Sequence, residues 1–295
     1  MKFLKGLALF ILGSLLFLSL STFGFVLTLN QTILNPDFVI RQVDRLDISS
    51  LAKETLGGQI PQEQEFMVKV VDDTLADLKP WLKEQVTGAT YSLYDYLEGK
   101  SQSLSLVVSL EPVKQSLRDN LRQAVLESPP AELAGLSPAE IESYLDEFYQ
   151  QISQGIPSTF EFKETSIPSE FMTLVGQIKQ IIGYFKLAYT AMIGLILLLI
   201  LLIILVHREV RGSTRGIGTN FLVCGAFSLA EVLLAKNAAG PLLTQASMPA
   251  FLQTWLPQLL ADSLAPLQMY SIILLAVGVI LIIVSFAYKP RQPSF

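Results

Sequence analysis

The sequence predicts a mainly α membrane protein: four transmembrane helices, with an extracytoplasmic α-rich (α+β) domain between the first and the second. Three observations carry that expectation. Four apolar spans punctuate the chain, about 150 far more polar residues separate the first two, and basic residues cluster at alternate span ends. The 295 residues are 51% hydrophobic and only 16% charged, below the roughly 25% of soluble domains, so much of the chain suits lipid better than water.

The first span (1–29) has its apolar run from Gly6 to about Leu29, after Lys2 and Lys5. Its apolar run continues through Phe23, Phe25, Val26, Leu27 and Leu29, beyond the roughly 7–15 residues of a signal-peptide core. An uncleaved anchor is therefore expected over a secretory signal cleaved near Ser19 and Ser21. No cysteine lies near this segment, so acylation as a lipoprotein is not expected. The second span (184–207) contains twenty uncharged residues from Leu187 to Val206, which at ~1.5 Å each cover a ~30 Å hydrocarbon layer. Tyr184, Lys186 and Tyr189 suit the headgroup layer at one end, and His207, Arg208 and Arg211 close the other.

The third span (216–236) is weaker and contains Glu231. Cys224 and Ser228, and likewise Ala226 and Ala230, stand four residues apart and allow a neighbouring helix to approach closely. This span is expected inside the bundle, with the Leu/Ile-rich second span facing lipid. The fourth (267–288) ends before Lys289 and Arg291. The intervening outer loop, 237–266, carries an apolar stripe that includes Phe251, Leu252, Leu256, Leu260 and Leu264. An interfacial helix is expected there, bent at Pro257, with Trp255 at headgroup depth, and a cover for the underside of the external domain is the alternative.

Orientation follows from charge. Lys2 and Lys5, then Arg208, Arg211 and Arg215, then Lys289 and Arg291 fall on one side of a four-span chain, and the positive-inside bias makes that side cytoplasmic. Both termini are then expected in the cytoplasm, with 30–183 and 237–266 outside the plasma membrane.

Segment 30–183 holds 23 acidic against 12 basic residues, a net of −11, which disfavours nucleic acid and anionic headgroups as its partners. Asn35, Pro36 and Asp37 open a helix as cap, first-turn proline and early acid, and Phe38, Val43 and Leu46 form its apolar face. Asp47 restarts a helix that Gly57 and Gly58 end. From Glu63 to Leu78, Phe66, Val70, Val71, Leu75 and Leu78 recur at helical spacing; Pro80 should kink or divide that helix, which resumes as far as Gly99. Ser103 to Leu110 reads as a strand, with Thr159 to Lys163 as its partner and Phe160 and Phe162 on one face. Helices are expected at 111–127 and 138–154, the second with Ser137 and Glu140 at capping-box spacing. From Ser169 no breaker intervenes before about His207, which predicts one continuous helical stalk coupling domain to membrane.

Leu34-Asn35-Pro36-Asp37-Phe38, Asp77-Leu78-Lys79-Pro80-Trp81-Leu82, Tyr94-Asp95-Tyr96-Leu97-Glu98-Gly99-Lys100 and Ser109-Leu110-Glu111-Pro112-Val113-Lys114 together resemble a family of bacterial polytopic membrane proteins without assigned function. Those proteins have an N-terminal anchor, an external helical domain and further spans. The resemblance covers mainly the polar segment, implies a bacterial cell-envelope setting and carries over no functional residue.

Chemistry is sparse. Intramembrane carboxylates mark proton or ion routes, but Glu231 lies some fifteen residues from Gly216, at ~22 Å, near the outer surface and Lys236. An interfacial carboxylate is the favoured reading, and a site for an ion or proton the alternative. Asp72, Asp73 and Asp77 crowd one helix without the glycine and backbone carbonyls of a calcium loop, so a solvated face is expected. The lone histidine, His207, has no second histidine or cysteine to share a metal, and is expected to contact headgroups. The lone cysteine, Cys224, is expected as a small buried residue and excludes an intrachain disulfide. No nucleophile elbow, phosphate loop or dinucleotide fingerprint occurs.

The expectation is a non-enzymatic binding, scaffold or assembly protein of the cell envelope, acting through its external domain, with no cofactor and no metal. Its partners would be the lipid bilayer and a membrane or envelope protein, or a second copy of itself, and not nucleic acid. The alternative is a transporter or channel component using the third span and Glu231. A hydrolase would need serines or a carboxylate pair gathered in a deep external pocket.

Overall fold

The computed structural model describes residues 2–46, 65–127, 133, 135, 137–163, 169–244 and 250–288. In chain order the elements are α1 (Lys2–Gln31), α2 (Pro36–Arg45), α3 (Glu65–Asp77), α4 (Lys79–Leu97), β1 (Ser105–Ser109), α5 (Glu111–Glu127), α6 (Pro138–Gly155), β2 (Thr159–Lys163), α7 (Ser169–His207), α8 (Val210–Thr244) and α9 (Ala250–Ala287). The protein is mainly helical, and it divides into two compact units, Met1–Val39 with Gln180–Phe295, and Ile40–Lys179. The helix expected between Asp47 and Gly58 lies outside the described residues.

In the first unit, α1, α7, α8 and α9 are each long and apolar enough to cross a membrane. Their shared core is Leu16 and Leu20 of α1, Leu199 and Ile203 of α7, Ile217 and Cys224 of α8, and Tyr270 and Leu274 of α9. The division of labour between α7 and α8 is as expected: 33% of the most apolar stretch of α8 is buried inside the protein, against 17% for α7. Leu187, Leu197, Leu201 and Leu205 of α7 point outward, where only lipid would cover them.

The close approach of α8 to α9 rests on glycines that spacing of alanine and serine did not disclose. A Cβ on Gly225 would stand 2.8 Å from the Ser271 carbonyl oxygen, one on Gly278 2.8 Å from the Leu222 amide nitrogen, and one on Gly218 3.0 Å from the Gly278 carbonyl oxygen. These are backbone-to-backbone contacts at seven-residue intervals on both helices, in antiparallel register. Cys224 and Ser228 are buried on this side as expected, whereas Ala226 and Ala230 are exposed and join no interface within the unit.

Tyr270 fastens α9 to α1. Its hydroxyl donates 2.9 Å to the Leu20 carbonyl, its ring meets Phe23 edge-on at 5.9 Å, and Gly24 makes room, since a Cβ there would lie 2.9 Å from the Tyr270 ring. A buried tyrosine needs a partner for its hydroxyl, and a helix carbonyl has a second lone pair to offer.

The segment expected to form an outer loop with a separate interfacial helix is different. α8 continues to Thr244, and α9 runs from Ala250 through Pro257 and Pro266 without interruption. Each proline removes one ladder hydrogen bond, but the apolar stripe keeps its helical period into the fourth span. Trp255, Leu256, Leu259, Leu260 and Leu264 are accordingly half-buried along one extended helix.

The second unit has its own core: Val70 of α3, Leu121, Ala124 and Val125 of α5, Leu133, and Leu145 of α6. α3 and α4 are separated at Leu78, two residues before Pro80, because the proline ring clashes with the carbonyl four residues back. Proline then occupies the first turn of α4, where its missing N–H costs nothing. α4 ends as Gly99 takes φ +76, with the Gly99 and Lys100 amides donating to the Tyr96 and Asp95 carbonyls, the glycine-terminated pattern that satisfies the last turn. At the start of α6, the Ser137 amide and hydroxyl both donate to the Glu140 carboxylate, at 2.8 and 2.7 Å. β1 and β2 pair antiparallel as expected, with Leu106 opposite Phe162 and Val108 opposite Phe160, and Leu104 just before the strand is buried. α7 is one helix from Ser169 to His207.

The glycine contacts make a directional prediction. Gly225→Val should destabilise the bundle by about 1–3 kcal/mol, because backbone rather than a movable side chain blocks the added methyls. Gly194→Ala, which meets nothing within 4 Å, should be neutral or stabilising by up to about 1 kcal/mol. Loss of helicity in mixed-micelle denaturation of the full chain measures both.

Candidate functional site

Glu231 sits on α8, one helical turn beyond Ser228. Ser228 and Val232 turn into the bundle and are buried, while Glu231 is exposed on the flank. Lys236 does not cap it. The ammonium donates instead to the Gln268 side-chain oxygen of α9, 2.6 Å away. Among the described residues no hydrogen bond or ion pair reaches the Glu231 carboxylate. A route through the middle of this single bundle would pass Ser228 rather than Glu231.

The remaining candidates are dispersed. Asp77 accepts a hydrogen bond from the Asn120 side-chain amide at 2.8 Å, tying α3 to α5. Asp73 contributes only a through-space interaction with Lys69, and among the described residues no group of three metal-ligating side chains forms. Asp77 is therefore bonded to a neighbouring helix rather than grouped with Asp72 and Asp73 around an ion. His207 turns its Nδ1 to the Ile203 carbonyl, 3.1 Å away in its own helix, and packs its ring on Gly212. Cys224 is buried, with the Ser21 hydroxyl 3.5 Å from its sulfur.

Two of the three basic clusters come together, and Lys289 and Arg291 of the third lie outside the described residues. Lys5 donates to the His207 carbonyl at 3.2 Å, and the buried Ser285 hydroxyl of α9 donates to the Arg211 carbonyl at 3.1 Å. The start of α1, the α7–α8 turn and the end of α9 thus share one end of the bundle. The turn is only two residues long, and Arg208 adopts φ +56, a left-handed conformation that glycine or asparagine takes more cheaply.

In the second unit the chemistry of the surface is ionic. Arg118 pairs with Asp146 at 2.7 Å and stacks over Tyr149, and Arg122 pairs with Glu142, so two rungs join α5 to α6 across a depression of about 200 Å³. Lys69 of α3 pairs with Glu127 of α5. Pairs so exposed give alignment more than stability. The ribbon is the other notable surface. It is a two-stranded sheet, and Val107 and Phe160 are 56% and 53% exposed on its opposite faces.

No protein-family model, curated protein or solved structure matches this chain.

Ion pairing sets a pH dependence. The Lys69 ammonium, and then the Gln123 amide, hold the Glu127 carboxyl below its ordinary 4.5, and the Ser137 hydroxyl and then its amide do the same for Glu140. Carboxylates lowered in this way stabilise the folded unit fully above their ordinary value and cease to do so as pH falls through the lower folded value. Lys69 is raised above 10.5, chiefly by its hydrogen bond to Glu127, so its share is complete below that value and is lost as pH rises through the folded one. The thermal midpoint of the full chain should fall on acidification below about pH 4.5, and the Glu127→Gln, Glu140→Gln double variant should show a shallower fall. Circular dichroism melts between acidic and neutral pH compare the two slopes.

Proposed function

We propose that the chain is an integral protein of the cytoplasmic membrane whose segment 30–183 lies outside the cell and works by binding a partner or assembling with other membrane proteins. Catalysis has no part in this reading. The gathering of Lys5, His207, Arg208 and Arg211 at one end of the bundle supports the sidedness, since that end carries the basic residues that are retained on the cytoplasmic face. The carboxyl end of α1 and the start of the second span then leave the membrane on the other face.

The observation that carries the binding role is the β1–β2 ribbon. A two-stranded ribbon is marginal by itself, and this one exposes Val107 on one face and Phe160 on the other, apolar surface that a partner protein would cover. The net acidity of the segment favours a protein partner over nucleic acid.

Two measurements test the proposal. Protease added to intact cells should cleave within 30–183, while a reporter fused behind Phe295 should be active only in the cytoplasm; the reverse pattern defeats the sidedness. Mild crosslinking at native expression, followed by pull-down, should yield a discrete larger species that Val107→Asp with Phe160→Asp abolishes. A chain that stays alone, or a species indifferent to both substitutions, defeats the binding role.

A further inference from the structure

At the basic end of the bundle, α7, α8 and α9 leave between them a groove of about 770 Å³, within the roughly 300–1,000 Å³ of small-molecule sites. Its walls are apolar: Ile200 and Ile204 from α7, Ile217 and Phe221 from α8, and Leu281 from α9. Its mouth carries both residues of the α7–α8 turn, Arg208 and Glu209. The eight residues from Ile200 to Arg208 correspond to ~12 Å along the helix, so the groove descends from the turn well into the apolar part of the span.

The polar groups at the mouth are not equivalent. Ser213 and Thr214 also line it, but their hydroxyls already donate to the Glu209 and Val210 carbonyls, at 2.9 and 2.8 Å. That leaves the exposed guanidinium of Arg208 and the exposed carboxylate of Glu209 as the groups able to recognise a ligand. Arg211 and Arg215 are exposed nearby on α8 but do not line the groove. The occupant that matches is an amphiphile with an apolar tail, an anion for the arginine and a cationic donor for the glutamate.

We propose that the groove seats one acyl chain of phosphatidylethanolamine, the lipid phosphate on Arg208 and the lipid ammonium on Glu209. A phosphate accepts two parallel hydrogen bonds from a guanidinium, and a primary ammonium donates to a carboxylate. Phosphatidylglycerol has no cation for Glu209, and the methylated amine of phosphatidylcholine has no N–H to donate. The left-handed backbone at Arg208 places this arginine at the mouth where glycine would be the less strained choice. The inference requires only that the four helices cross a bilayer, and it is independent of which face is cytoplasmic and of what the ribbon binds.

Full-length protein in nanodiscs of equal phosphatidylethanolamine, phosphatidylglycerol and phosphatidylcholine, released into mild detergent and examined by native mass spectrometry, tests it. The wild-type chain should retain phosphatidylethanolamine at about threefold or more over the other two, as one charge-assisted hydrogen bond allows. Arg208→Gly, which relieves the strained turn while removing the charge, should lower retention of that lipid about tenfold, and Arg208→Lys should restore part of it. Glu209→Gln should keep lipid bound but remove the preference for the ethanolamine headgroup. Ile204→Trp, on an exposed wall, should fill the groove and expel the lipid with helicity unchanged. Retention in the bulk ratio, retention unaffected by Arg208→Gly or Ile204→Trp, or a groove found occupied by a second copy that Ile204→Trp displaces would each overturn the proposal.

Discussion

Hydrocarbon offers no hydrogen-bond partner to a peptide group, so any segment that crosses it must satisfy its own backbone, and a helix is how one segment does so alone. Burying apolar side chains gives little drive for such helices to associate, because lipid tails are equally apolar; packing contact must hold them together. In this protein that contact is a backbone approach between α8 and α9, at Gly218, Gly225 and Gly278, with Leu222, Leu275 and Leu281 packed beside it. The rest of the bundle is arranged around that pair. Tyr270 reaches from α9 to the Leu20 carbonyl of α1, and Leu199 and Ile203 of α7 complete the core, while the outer face of α7 stays Leu-rich for lipid.

The unit from Ile40 to Lys179 follows the opposite rule. In water the apolar side chains supply the drive, and the core of Val70, Leu121, Ala124, Val125 and Leu145 gathers α3, α5 and α6 accordingly. Surface pairs such as Arg118 with Asp146 and Arg122 with Glu142 align the helices around that core. The short ribbon adds exposed apolar surface at Val107 and Phe160 to that ionic face.

A mixed picture emerges for the groove and the turn beside it. Arg208 reads in the sequence as charge that sets topology, and Glu209 follows it in the same two-residue turn. Their position over an apolar groove is a property of three helices at once. No window of the sequence contains it, because Ile200, Phe221 and Leu281 are contributed by separate spans.

Periodicity and breakers determined most of the elements. Helices repeat their apolar residues locally, so the spans, the division of α3 from α4 at Pro80, the capped start of α6 and the unbroken α7 all follow from neighbours in the chain, and even the two strands are marked by their alternation. The separate helix expected before the fourth span is instead part of α9, which an apolar stripe of helical period carries through Pro257 and Pro266. Tertiary structure alone decided which small residues touch. Ala226 and Ala230 have the same spacing as Cys224 and Ser228, but only the second pair lies on the side that meets another helix. It also decided that Glu231 faces outward beside a buried Ser228, since the direction in which a side chain turns depends on where the neighbouring helices stand, and their positions are set by contacts between residues far apart in the chain.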